Sequence, residues 1–536
     1  MILLAMIICL NGPIIISQGA SADTPTDFSW ETVDNGTSVK ITSYHGSDTI
    51  VTIPDVIDGK PVTVVGEYAF LWCTEITSIV IPDSVLIIDE YAFYGCNGLT
   101  TIDIPGSVVE IGNGAFYWCV GLSDITVDPD NTEFVSVSGV LYDIDLNELI
   151  MYPPGRTDDS FIVPDGITAI CNYSFMGCNY LQHVVFPLEV VDIGQEAFAQ
   201  CAELTEVALH NVETIGDWAF CGCRSLCNLT LGSELRTIGK SAFYECYELT
   251  FVTIPRNTTS IGPTAFVDCT SLTYIDVEAG NVMYSSLDGV LFDHDRTVLI
   301  QYPCDRTDTN YTVPNGVMSI ANSAFMRCGH LTSISFPSSL ISIGDSSFYD
   351  CPSLVDMWFH GDVPTTGPYW VEWHNFSLVA HHYARYPGFF RFGRGDGGSV
   401  NTAIIPPSAP SMPMNLTIEL EEGYVALSWT APEDDGGSEI DYYIIYQDGV
   451  DVKHVTGTAT DISELTDDVE YVFTIAAHNV AGTGVTSSSA QIAYEVDEST
   501  EEGGAGIDLT VLIIALVGLV AVAIVIIMVI IKRRRN

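Results

Sequence analysis

Basic side chains are scarce in this sequence: 18 Lys and Arg stand against 69 Asp and Glu, a formal charge of −51 over 536 residues. A field of that sign repels phosphate backbones and attracts cations and basic partners, so nucleic acid is excluded as a ligand. Also missing are a nucleophile elbow, a His-Glu-x-x-His pair, a phosphate loop and a dinucleotide fingerprint. The residue patterns therefore point to no enzyme, no cofactor and no small-molecule substrate. Charge is absent altogether from two stretches, residues 1–22 and 509–531. Core-forming residues are not lacking: hydrophobic types make up 47% and aromatic types 10%. That composition rules out a disordered acidic tail, because such a chain can bury a large core.

The two uncharged stretches predict where the chain sits. Residues 509–531 are 23 in number, and a helix rising ~1.5 Å per residue then crosses a ~30 Å hydrocarbon layer with some tilt. Lys532, Arg533, Arg534 and Arg535 follow at once, and positive residues stay on the cytoplasmic side. The expectation is a single-pass type I membrane protein with its ectodomain outside and a tail at 532–536. At the other end, an apolar run closes on Ala20-Ser21-Ala22 before Asp23, which predicts a signal peptide over 1–22. Removing both ends leaves 14 basic residues (18 less the four in the tail) against 69 acidic ones, a net −55.

Internal repetition decides the fold. The string Ala-Phe-x-x-Cys, with Ser for Ala twice, occurs ten times, at Phe70, Phe93, Phe116, Phe175, Phe198, Phe220, Phe243, Phe266, Phe325 and Phe348. The spacing is 22 or 23 residues except for two intervals of 59. In one unit, Leu99, Ile102 and Ile104 alternate and stop at Pro105, which predicts a short strand, since Pro cannot donate to a ladder. Val108 and Ile111 point inward on the return path, and Gly112 permits a tight corner. Ala115, Phe116 and Cys119 lie at helical spacing, which predicts one short helical turn. No unit buries such a face alone. Stacked units share a continuous core, so the fold expected is a mainly β solenoid with a parallel sheet on one side and short helical turns.

These residues resemble the BspA-type (treponeme-like) leucine-rich repeat over 27–393. The resemblance implies a first turn near Ile53-Pro54 and an exit at Met357 to Pro364, with an aromatic cap up to Gly398. The two long intervals match each other at an offset of 150: Ser138-Gly139 to Pro153 against Asp288-Gly289 to Pro303. Each predicts an inserted β-hairpin, turning at Asp143-Ile144-Asp145 or Asp293-His294-Asp295. Residues 394–406 then read as a linker. Over 407–496 the order Trp429, Gly436-Gly437-Ser438, Tyr443, Leu465, Tyr471, Asn479 resembles a fibronectin type III domain. That likeness implies a β-sandwich with Trp429 in its core and Tyr471 as a tyrosine corner. Residues 497–508 are an acidic linker.

Several constellations look chemical and are better read as structure. Ten cysteines occupy the third position after the repeat Phe, a register that suits a buried ladder of small apolar thiols. Cys221, Cys223 and Cys227 are close in sequence, but no nearby His completes a metal set. Asp143 starts like a calcium loop, yet Glu148 replaces the Gly and no Glu closes it. Arg394-Gly395-Asp396 is an adhesion tripeptide, and His374, His381 and His382 cluster with aromatics in the cap. Seven Asn-x-Ser/Thr sequons are present, among them Asn228.

In Leu-x-x-Ile-x-Ile, the residue before the first Ile and the one between the two face outward. Reading those positions along the stack gives a strip in which His183, Glu206, Phe251, Tyr274, Asp276 and Trp358 are the candidate partner-binding residues. Aromatics of this kind commonly anchor interfaces. The expectation is a cell-surface adhesion or binding protein that recognises an extracellular protein or glycan through the solenoid sheet. The alternative is a structural envelope component assembling laterally through its repeats.

Overall fold

The computed structural model describes residues 26–362, 364–371, 378–383, 401–421, 423–463, 465–466 and 469–494. The predicted signal peptide, acidic linker, spanning helix and tail lie outside them, as do His374 and Arg394-Gly395-Asp396. Among the described residues no helix is long and apolar enough to cross a membrane.

The repeats wind into a solenoid with two parallel ladders rather than the single one expected. On the strand face, Glu206–Leu209 pairs in register with Asn228–Leu231, placing Val207 beside Leu229 and Leu209 beside Leu231. The return path forms its own ladder, in which Ile193, Ile215, Ile238 and Ile261 follow one another. Two-residue strands suffice there because each amide pair is continued by the next turn. Between the ladders lies a column of rings. Phe198, Phe220, Phe243 and Phe266 stack nearly parallel with centroids 5.2, 5.3 and 5.5 Å apart. Each ring is fully buried or nearly so, and each such burial contributes about 1.5–3 kcal/mol.

The expected helical turns are absent, and the backbone shows why. The residues two before and two after the repeat Phe are left-handed, as at Tyr91 (φ 55°) and Trp118 (φ 60°), which no α-helix accommodates. Amides alternate between closing a local turn, Ala115 N to Gly112 O at 3.1 Å, and reaching the next coil, Phe93 N to Ala115 O at 2.8 Å. The chain rounds its corner as linked turns that hydrogen-bond coil to coil.

The repeat cysteines complete this corner. Cys223 Sγ donates to Phe198 O at 3.2 Å, Cys246 to Phe220 O at 3.3 Å and Cys269 to Phe243 O at 3.2 Å. Each thiol meets a carbonyl of the preceding coil from a fully buried position. Cys304, which falls outside the repeat string, joins the same column by donating to Cys269 O at 3.0 Å. Cys221 is half-buried and Cys227 exposed, and among the described residues no three potential metal ligands gather.

The two long intervals each fold as three antiparallel strands. Phe134–Val137 pairs with Val140–Asp143 through Ser138-Gly139, and Val140–Asp143 pairs with Glu148–Met151. The last strand then enters the return ladder beside Ala169-Ile170. The second copy repeats every pairing at Tyr284–Leu287, Val290–Asp293 and Val298–Gln301. Asp143 Oδ1 takes the amides of Asn147 (2.8 Å) and Glu148 (2.6 Å), so this carboxylate closes a hairpin. A buried asparagine pins each insertion: Asn281 Nδ2 donates to Pro255 O (2.9 Å) and Thr258 O (3.0 Å), and its Oδ1 accepts from Met283 and Tyr284. Tyr152 and Tyr302 fill the ring column where the interval skips a Phe, stacking on Phe175 and Phe325.

Beyond Phe359 the strand face continues where a cap and linker were expected. Val379–Tyr383 and Asn401–Ile405 add two further parallel strands. The sandwich follows, with Met414–Glu421, Tyr424–Thr430 and Ala459–Ile462 in one sheet and Tyr442–Gln447, Val450–Val455, Val469–Asn479, Gly482–Thr483 and Ala490–Tyr494 in the other. Trp429 is buried against Tyr443, and Tyr471 accepts the Thr466 amide at 2.8 Å, as the tyrosine-corner reading requires. The sandwich meets the solenoid at Glu433, whose carbonyl accepts from Ser338 Oγ at 2.6 Å.

Burial pushes the ladder thiols of Cys223, Cys246 and Cys269 well above their ordinary value near 9.0. Their contribution to stability is complete below about pH 9 and is lost as pH rises further, because the unfolded chain alone releases those protons. The urea midpoint should therefore fall above about pH 9. In the native protein at neutral pH a thiol reagent should label Cys227, the one exposed cysteine among the described residues, and reach the ladder only after denaturant is added.

Candidate interaction surface

Parallel in-register pairing turns sequence positions into columns. His183 stands beside Glu206, and Glu206 beside Asn228; Phe251 stands beside Tyr274, and Thr253 beside Asp276. One more strand segment, past the second insertion, aligns Ser335, Trp358 and His381.

The insertions cut this face. At each, the strand edge stops pairing with the next coil and bonds the insertion turn instead: Ile125 N donates to Gly139 O at 3.1 Å, and Ile275 N to Gly289 O at 2.9 Å. The six candidate residues therefore fall into two groups. His183, Glu206, Phe251, Tyr274 and Asp276 lie between the insertions, and Trp358 lies beyond the second.

Within the first group two arrangements stand out. His183 Nδ1 is 3.3 Å from Glu206 Oε1 at the rim of a shallow depression of about 190 Å³. Val185, Ala208, Thr230 and Asn228 line it, so a glycan on the Asn228 sequon would cover it. Next to it, Phe251 and Tyr274 remain 47% and 39% exposed. Their rings stack at 5.7 Å and 13°, which fixes both at modest entropic cost. The insertion turn supports the pair from behind: a Cβ on Gly289 would lie 2.3 Å from Tyr274 Cδ2. Asp276 is engaged by the same insertion, accepting from Ser286 Oγ at 3.2 Å.

Trp358 has a partner that sequence reading assigned to packing in a cap. His381 lies flat on its indole, centroids 3.8 Å apart and planes 6° apart, and His381 Nε2 is 2.7 Å from Asp356 Oδ1. Trp358 is half-buried and His382 fully so. The missed signal was the strand Val379–Tyr383 itself, in which Val379 and His381 continue the column of Asp356 and Trp358.

A second aromatic surface, which the strand-position rule could not reach, lies along the corner formed by the Ala-Phe-x-x-Cys turns. Tyr68 stacks on Tyr91 at 5.4 Å and Tyr94 on Tyr117 at 5.0 Å, with Trp72 edge-on to Tyr94. Tyr91 shares a hydrogen bond with Tyr173 at 2.8 Å, and Tyr117 donates to Glu196 Oε2 at 2.9 Å. Burial together with Glu196 raises the Tyr117 phenol, so it stays protonated and keeps donating. The signal was present as aromatics two residues before and one or two residues after the repeat Phe.

Comparison with known proteins follows the same divisions. Residues 51–149, 158–277 and 304–377 match the family described as BspA type Leucine rich repeat region, in 6 copies. Residues 408–493 match the fibronectin type III domain. Among solved structures, a leucine rich cell surface protein from Faecalibacterium prausnitzii is 23% identical with a TM-score of 0.40, covering 73% of this chain and 96% of that one. A leucine-rich repeat protein from Bacteroides ovatus is 21% identical with a TM-score of 0.36, covering 72% and 100%. Exoglucanase A of Cellulomonas fimi is 33% identical over 102 residues, 19% of this chain, and the chain spans 12% of that enzyme's length.

Replacing Gly289 with Ala should lower unfolding free energy by about 1–2 kcal/mol for its left-handed φ of +81° and add the cost of displacing Tyr274. Gly280→Ala is the control, since its φ is +93° but nothing lies within 4 Å of the new methyl. Equal losses in chemical denaturation would mean that Tyr274 does not depend on the turn.

Proposed function

Since this chain belongs to the BspA-type leucine-rich-repeat family and carries a fibronectin type III domain after its repeats, we propose that it is a cell-surface binding protein. It recognises an extracellular protein or glycan on the strand face and performs no catalysis. The single observation that carries this reading is the exposed Phe251–Tyr274 stack, backed by the Gly289 turn. Large rings held rigid at the surface lose little freedom on docking, and aromatic anchors dominate interface energetics. The neighbouring depression and the His183–Glu206 pair supply polar groups at the rim, where they set orientation.

In this reading residues 509–531 hold the protein in the membrane and the sandwich sets the solenoid off from it. Ending the chain at Asp508 should then move the protein from the membrane fraction to the medium. Retention in the membrane would remove the anchor from the reading. For recognition, the double substitution Phe251→Ala with Tyr274→Ala in the full chain should lower capture of surface ligands at least tenfold, about 1.4 kcal/mol or more. The circular dichroism melt should stay unchanged. Undiminished capture sinks the strand-face reading, and ordered self-assembly without a captured ligand favours a structural role.

A further inference from the structure

We infer that the corner of the first super-repeat is a second binding site, independent of the strand face, that takes an arginine or lysine side chain from a basic protein segment. The two super-repeats are related by 150 residues, so each position of one has a counterpart in the other. In the second, Arg327 occupies the corner: its guanidinium lies 2.6 Å from Asp268, whose side chain is buried, and 3.3 Å from Asp350. The counterpart of Arg327 in the first is Gly177, and nothing lies within 4 Å of where its Cβ would be. One copy carries its own cation there, and the other has open space.

The surroundings of that space suit a cation. Residues 61–155 contain 14 Asp and Glu and no Lys, Arg or His. The approaching cation Lys40 is already paired with Asp89 at 2.5 Å. Where the second copy has Asp268, the first has Trp118, and the adjacent Tyr117 donates to the Glu196 carboxylate. An indole face beside a carboxylate attracts a guanidinium more strongly than a neutral group.

Backbone conformation supports the same conclusion. Trp72 and Trp118 sit at left-handed φ values of 55° and 60°, positions that Gly95 and Gly177 occupy in neighbouring coils. Yet the two indoles remain 51% and 38% exposed, so burial does not offset the strain. Trp72 lies across Gly95, where a Cβ would come within 2.4 Å of its ring, leaving its other face to solvent. Strained, half-exposed indoles in a strongly acidic field form a surface for a cation from outside. This site does not rest on the strand-face reading.

The test uses the full chain and a Gly-Ser peptide carrying spaced arginines, with a glutamine version as its neutral match, followed by tryptophan fluorescence. The arginine peptide should bind, and binding should weaken at about 1 M salt, where the screening length falls to ~3 Å. Gly177→Arg reproduces the arrangement of the second super-repeat and should lower affinity for the peptide roughly fivefold or more. Arg327 has a φ of 61° at the equivalent place, so the backbone tolerates it. Gly177→Ala carries the same backbone strain without filling the space and should bind as the parent does. Trp72→Ser with Trp118→Ser should lose affinity to a similar degree, and Phe251→Ala with Tyr274→Ala should not. The inference is overturned if Gly177→Arg binds as well as the parent. Equal binding of the glutamine peptide, or binding of neutral oligosaccharides alone, overturns it too.

Discussion

Within each run of repeats, one coil of this solenoid is held by the next through a ring laid on a ring. The Phe centroids are separated by 4.6 Å at the closest, between Phe175 and Phe198, and by 5.5 Å at the widest, between Phe243 and Phe266. That separation is close to the ~4.8 Å between hydrogen-bonded strands, so one rise satisfies the aromatic column and both ladders together. The thiol column obeys the same rise, each Sγ reaching a carbonyl one coil back. A change in the thickness of any coil would break all four columns at once. The interior therefore tolerates little variation, while outward positions are free to carry any side chain.

The insertions are the exception that shapes the outside. Each adds three antiparallel strands without disturbing the rise, because Tyr152 and Tyr302 enter the ring column and the last inserted strand enters the return ladder. The cost falls on the strand face, where Gly139 and Gly289 take the hydrogen bonds that the next coil would have made. The strand face becomes separate panels. Tyr274 is held against one insertion turn, and Trp358 is carried away from it to stack on His381. The super-repeats have also diverged in what their corners carry, aromatic rings and open space in the first, an ion pair on a buried Asp268 in the second.

How far the sequence could be read depended on whether a residue's role was set by period or by neighbours. The ring, thiol and strand columns recur every 22 or 23 residues, and the fibronectin-like features Trp429, Tyr443 and Tyr471 fall where the sandwich uses them. Ala115, Phe116 and Cys119 have helical spacing, but the left-handed Gly114 and Trp118 break the helix, and in the preceding coil the Phe93 and Gly95 amides reach across to Ala115 and Tyr117. Val379–Tyr383 and Asn401–Ile405 were read as cap and linker because they lack the repeat string, yet an open ladder edge pairs with any extended segment that reaches it.

The sequence by itself determined the repeat, the direction in which each apolar side chain points and the acidity of the surface. These follow from period and composition alone, since a residue at a fixed place in every coil meets its own copy in the next. Tertiary structure decided which outward residues become neighbours. Contacts such as Tyr91 with Tyr173, or Arg327 with Asp268, join residues 82 and 59 positions apart across an insertion. Their distance in space depends on how that insertion folds, and no local pattern records it.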